Sequence, residues 1–152
     1  MRTIRDFTPA RTKDKKRKTQ TPARILALEA VEATLDKKAV DIVVLDMRAV
    51  TGVADYFVIC TGGSDLHVKA IYEAIEERIR EVCQERPWHR EGQDHRQWVL
   101  LDYVDLVVHI FSPEKRAFYD LERLWGDASF ERVPSDAASA ANVQLLQQPS
   151  TH

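Results

Sequence analysis

YFVICTGGSDLHVKAIYEAIEERIREVCQ, residues 56–84, is the stretch that decides the fold. Its first six residues are apolar or β-branched at successive rather than alternate positions, as in a strand covered on both faces. Gly62 and Gly63 break that strand, and Ser64 stands where a helix N-cap belongs. Val68, Ile71, Ile75, Ile79 and Val82 then recur at helical spacing, with Glu73, Glu76, Glu77, Arg80 and Glu81 on the opposite face. The stretch predicts a buried strand, a tight turn and an amphipathic helix ending near Gln84, with Pro87 beyond it.

Upstream, Thr21 and Pro22 read as the N-cap and first position of a helix running to about residue 38. Ile25, Leu28, Val31, Ala33 and Leu35 give it one apolar side. Residues 41–47, DIVVLDM, form a second strand covered on both faces, and a loop with Gly52 joins it to residue 56. Downstream, residues 87–96 are polar, turn at Gly92 and have room for a short edge strand. QWVLL (97–101) and LVVHIF (106–111) lie four residues apart and predict an antiparallel hairpin. Ser112, Pro113 and Glu114 then supply a cap, a fixed φ and an acid for the first turn of another helix. Phe118, Leu121, Leu124 and Trp125 make its apolar stripe, and Gly126 stops it.

This order predicts an α/β fold: a single mixed β-sheet of about five strands flanked by helices, in one domain over residues 23–128. The chain has 152 residues, and a domain of this size can bury a real core. From Asp127 onward it is rich in Ala, Ser, Gln and Asn, so residues 129–152 are expected to form a mobile tail, with room for a short helix near 142–147. No internal repeat is visible.

Charge is distributed unevenly. Residues 1–22 hold eight basic and two acidic residues, a net of plus six, and read as a basic disordered arm. The remainder holds 14 basic and 22 acidic residues, a net of minus eight. A basic arm on an acidic body suits work beside nucleic acid without reading its sequence. No apolar run is long enough to cross a bilayer, and the basic N-terminus is not followed by an apolar segment, so no secretory signal is read and a cytoplasmic location is expected.

The residues that could carry chemistry are sparse. Gly62, Gly63 and Ser64 join a strand to a helix, the place where a nucleotidyltransferase holds a phosphate. Such an enzyme also needs an Asp-x-Asp pair on a neighbouring strand to hold magnesium. Asp102 and Asp105 are three apart and flank a turn, and residues 106–111 contain no acid. His67, His89, His95, His109 and His152 fall at no metal-ligand spacing, and Cys60 and Cys83 read as small buried hydrophobes. Neither catalytic residues, a metal site nor a cofactor is expected. Trp98, Tyr103 and Tyr119 are the residue types that anchor protein interfaces, and His109 stands out inside an apolar strand.

ADYFVICTGGSDLHVKAI (54–71), WVLLDYVDLVVHIF (98–111) and FYDLERLWGDA (118–128), in that order, make the chain resemble the ribosomal silencing factors, the Iojap family. The resemblance covers residues 24–128. It implies a nucleotidyltransferase-like topology without the catalytic acids. It also implies docking on the large ribosomal subunit, through its protein numbered fourteen, so that the small subunit cannot join when nutrients are scarce. It places the docking surface on Trp98, Tyr103, Asp105, His109, Arg116 and Tyr119, with Trp98 and Tyr103 as aromatic anchors. It leaves room for an rRNA contact by the basic arm and for a homodimer off the ribosome. The family usually has Gly where this chain has Val104, and a β-branched residue resists positive φ, so a different or shifted turn is expected there. Two other readings compete: a nucleotide-binding or nucleotidyltransferase-type enzyme using the Gly63-Ser64 turn, and an RNA-binding module built on the arm.

Overall fold

The computed structural model describes residues 21–50 and 52–147. Helix α1 (Ala23–Asp36) leads to strand β1 (Val40–Asp46), and strand β2 (Tyr56–Thr61) turns directly into helix α2 (Asp65–Cys83). Strands β3 (His89–Glu91), β4 (Trp98–Asp102) and β5 (Leu106–Phe111) follow, then the short helices α3 (Pro113–Tyr119) and α4 (Leu121–Leu124). Strand β6 (Ser129–Val133) and two 3-10 turns, Ala140–Asn142 and Gln144–Leu146, end the described chain. Apart from Thr21 and Pro22, the arm expected over residues 1–22 lies outside the described residues.

The strands make one mixed sheet in the order β3-β4-β5-β2-β1-β6. Its centre, β2 against β5, is parallel, with Val58 opposite Val108 and Cys60 opposite Ile110. The other pairings are antiparallel. Every residue of β2 and β5 is buried, so successive apolar positions do mark strands covered on both sides. Ile42, Val44, Val58, Cys60, Leu101, Val108 and Ile110 face α1 and α2. Val43, Leu45, Phe57, Ile59, Leu100, Val107 and Phe111 face α4 and the loop before β2.

Ser64 caps α2 by accepting the His67 N–H, and Ser112 caps α3 by accepting the Lys115 N–H. Three expectations are corrected. The domain does not end at residue 128: β6 pairs with β1 from Asp46 opposite Ser129 to Ile42 opposite Val133. Ala140, Val143 and Leu146 then bury themselves in the core beside α1, and both oxygens of Glu131 accept N–H groups, from Gln144 and Leu145, at 2.9 Å. The helix expected over residues 113–125 is broken, because Asp120 takes a left-handed conformation at φ 41°. That break turns Phe118 away from the face that buries Leu121, leaving Phe118 72% exposed. Thr21 is not the cap of α1: Pro22 stands at the N-cap and offers no side-chain hydrogen bond. Thr21 instead donates its N–H to Glu85 and its hydroxyl to the Cys83 carbonyl.

Candidate functional site

Alternation along β4 and β5 decides which of the expected contact residues share a face. Trp98, His109 and Phe111 all point to the side of α3 and α4. Trp98 stands opposite Phe111, and its Nε1–H donates to His109 Nδ1 at 3.1 Å. The imidazole proton therefore sits on Nε2. Rings continue from there in both directions. Inward, Phe57 meets His109 at 4.8 Å and Trp125 at 6.0 Å. Outward, Trp98 meets Tyr119 at 4.7 Å, and Phe118 lies edge-on to Tyr119 at 5.0 Å with Lys115 Nζ over its ring. The series runs from a fully buried imidazole, through half-buried Trp98 and Tyr119, to an exposed phenylalanine.

Beside Trp98 and Tyr119 opens a pocket of about 380 Å³. Leu100, Trp98 and Tyr119 give it apolar walls, and Glu91, His95 and Lys115 bring charge or polarity to its lining. An apolar pocket with a few polar groups suits a partner's apolar or aromatic side chain.

Arg116 is not at the surface. Its side chain is 10% exposed and donates to Thr61 Oγ1 and Glu122 Oε2, each at 3.0 Å. It clamps α3 to β2 and α4. Burial alone would raise Glu122, but the Arg116 hydrogen bond holds its carboxyl below its usual value. Burial, with the Arg116 charge acting in the same direction, pushes the His109 imidazole down to about 3. Burial raises the Cys60 thiol to about 12, which leaves it unreactive at neutral pH.

The other expected contacts lie elsewhere. Tyr103 is 1% exposed and packs on the opposite face, against the α1 and α2 side, where burial raises its phenol. Direct partner contacts by Tyr103 and His109 are therefore corrected: both are interior in this fold. Asp105 is half-buried at the hairpin tip, with about five residues of strand, ~16 Å, between it and Trp98. At that tip Val104 does take positive φ, 76°, and the Asp105 N–H bonds back to the Tyr103 carbonyl. This is a strained γ-turn, so the glycine-like conformation is kept despite the valine. Buried Asp102 steadies it by accepting the Val104 N–H at 2.8 Å.

The Gly-Ser turn is occupied by its own side chains. The Gly63 N–H donates to His67 Nδ1, the His67 N–H donates to Ser64 Oγ, and the Gly62 N–H donates to the Phe111 carbonyl. A Cβ on Gly62 would lie 2.8 Å from Val68. This glycine lets the helix close on the strand. Among the described residues no group of His, Cys, Asp or Glu could hold a metal ion, and no helix is long and apolar enough to cross a membrane.

Sequence reasoning singled out Trp98 and Tyr119, and the structure sets beside them Phe118, Lys115 and His95, which it did not single out. Phe118 fits the Leu121–Trp125 helical spacing and so reads as core. The one signal against that reading is Asp120, a residue type that tolerates the left-handed region.

Comparison with known proteins agrees with this fold. The sequence model of a family described as ribosomal silencing factor during starvation matches residues 18–151. The ribosomal silencing factor RsfS of Bacillus subtilis (strain 168) is 46% identical over 99 residues, covering 65% of this chain and 83% of that protein. Mitochondrial assembly of ribosomal large subunit protein 1 of Mus musculus is 33% identical over 97 residues, covering 62% of this chain and 42% of that protein. A solved structure from Chromobacterium violaceum superposes with a TM-score of 0.67 at 33% identity, covering 80% of this chain and 98% of that one. With the family's sequence model spanning nearly the whole described domain, this chain belongs to the ribosomal silencing factor family.

Proposed function

We propose that this protein silences ribosomes by docking rather than by chemistry. In the cytoplasm it binds the large subunit through the ribosomal protein numbered fourteen, occupies the face where the small subunit joins, and so represses translation when nutrients are scarce. The observation that carries the reading is the row of rings on the α3 side of the sheet, ending in half-buried Trp98 and Tyr119, exposed Phe118 and the pocket between β4 and α3. Large rigid rings beside a pocket are what a docking hot spot requires. The body's net charge of minus eight complements a basic ribosomal surface and would speed encounter. The large subunit named in the mouse relative supports the choice of subunit. The basic arm suits a secondary contact with rRNA phosphates.

His109 and Arg116 then act by holding Trp98 and α3 in place. Asp105, at the far end of the hairpin, meets the partner only where the interface extends along the whole hairpin. Joining of purified subunits, followed by light scattering, tests the proposal. Wild-type protein should suppress joining. Phe118→Ala removes an exposed ring without opening the core, so it should keep the melting temperature while weakening large-subunit binding roughly ten-fold. Trp98→Ala should weaken it at least as much. Normal joining in the presence of saturating wild-type protein would sink the idea.

A further inference from the structure

β6 closes the strand order β3-β4-β5-β2-β1-β6, and among the described residues β1 is the strand that pairs with it. The neighbouring ladder shows which β6 groups point outward. The Met47 N–H donates to the Asp55 carbonyl at 2.8 Å, and Leu45 stands opposite Phe57, so Met47 and Leu45 bond toward β2. Val44 and Asp46 therefore bond toward β6, where they face Glu131 and Ser129. That leaves the N–H and C=O of Phe130 and Arg132 directed away from the sheet. The strip is closed at both ends: the Ala128 N–H is taken by the Trp125 carbonyl, and Pro134 has no N–H.

Phe130 and Arg132 also share a face. Phe130 is 54% exposed, and the Arg132 guanidinium lies 5.8 Å from its ring centroid. Glu131 points to the other face, where its two oxygens accept the Gln144 and Leu145 N–H groups. An unpaired edge of this kind is a template for another strand. Its own sequence decides which strand fits. Two antiparallel β6 edges with Phe130 opposite Phe130 would leave Arg132 facing the occupied Ala128 N–H. With Arg132 opposite Arg132, like charges meet and Phe130 faces Pro134. With Phe130 opposite Arg132 of a second copy, about a two-fold axis at Glu131, every outward group finds a partner and each ring meets a cation. The two Glu131 carboxylates then approach at the axis, but each is already held toward its own C-terminal turn.

We propose that two copies of this chain pair through their β6 edges in that register. The pairing gives a location to the homodimer for which the family resemblance leaves room. It stands apart from the docking reading, because β5, β2 and β1 separate β6 from β4 and leave the Trp98 pocket open in the pair. The strip is five residues long, so association is weak and depends on concentration.

Sedimentation of the full-length protein over a concentration series tests the pairing, beside the subunit-joining assay. Wild-type protein should shift from monomer to dimer as concentration rises. Arg132→Pro removes an outward N–H without removing a bond to β1, and symmetry deletes that bond twice, so dimerisation should weaken about ten-fold or more. The register is tested by oxidation. Glu131→Cys, at the axis, should cross-link two copies, whereas Phe130→Cys should not, and a melting curve of each variant checks that the fold is kept. A wild-type protein that stays monomeric throughout, or an Arg132→Pro protein that dimerises equally well, would overturn the proposal. So would cross-linking through Phe130→Cys alone, or a dimer lost in Phe118→Ala but kept in Arg132→Pro. Arg132→Pro should still suppress subunit joining, so loss of the dimer leaves the docking reading standing, and failure of wild-type protein to suppress joining leaves the dimer standing.

Discussion

An imidazole kept neutral beneath a tryptophan makes the fold sensitive to acid. His109 titrates near 6.5 in an unfolded chain and near 3 in the folded one. Below pH 6.5 the unfolded chain takes up a proton that the folded chain refuses. Stability is therefore complete above that value and is lost progressively down to about pH 3, by at most about 1.4 kcal/mol per pH unit. Asp46 and Glu122 are also held low, Asp46 chiefly by its hydrogen bond from Arg48. Their contributions disappear only as pH falls below the carboxylate range, so among these shifted groups the interval from 6.5 to about 4.5 belongs to His109. His109→Gln can still accept from Trp98 but cannot titrate, and urea melts across this interval should show its stability nearly flat while the wild type declines. Val104 offers a second check. Replacing a buried valine by glycine ordinarily costs ~2–4 kcal/mol, but relief of a positive φ returns ~1–3 kcal/mol. Val104→Gly should therefore change stability by only about 1 kcal/mol in denaturant titrations. A full-sized loss would mean that the turn is not strained. At this scale the site was partly legible. The residue types Trp98 and Tyr119 identified themselves, and parity along β4 already separates Trp98 from Tyr103. The burial of Arg116 and His109 depends on where α4 lands, which no local pattern encodes.

Elements with strong local signals formed as the sequence implied. Residues 56–61 and 106–111 are strands to the residue, and Ser64 and Ser112 cap their helices. The elements that were misread lack such signals. SFERV, which becomes β6, places exposed Phe130 and buried Val133 in a run diluted by Ala and Ser, and it becomes a strand because β1 presents an open edge to it. At the break, left-handed Asp120 separates exposed Phe118 from Leu121, which is buried on the face holding Phe57 and Ile59. Glu131 shows how the C-terminal elements depend on one another, since its two oxygens serve as the cap for the last 3-10 turn. Glu131→Ala should cost about 1–2 kcal/mol and speed amide exchange at Gln144 and Leu145, while amides of β2 stay protected.

At the scale of the whole molecule, one face of the sheet is closed by two full helices and the other by two short ones and a loop. The lighter cover leaves the outer end of the row of rings exposed, so the asymmetry between the faces is what makes room for the proposed docking site. One of the two edge strands of that sheet, β6, is also the last strand among the described residues. β1 lies near the start of the described chain, and its second partner, β6, arrives more than eighty residues later. A growing polypeptide therefore carries an unpaired β1 edge until the residues of β6 have been made and have left the exit tunnel, so the six-stranded sheet closes only after that point.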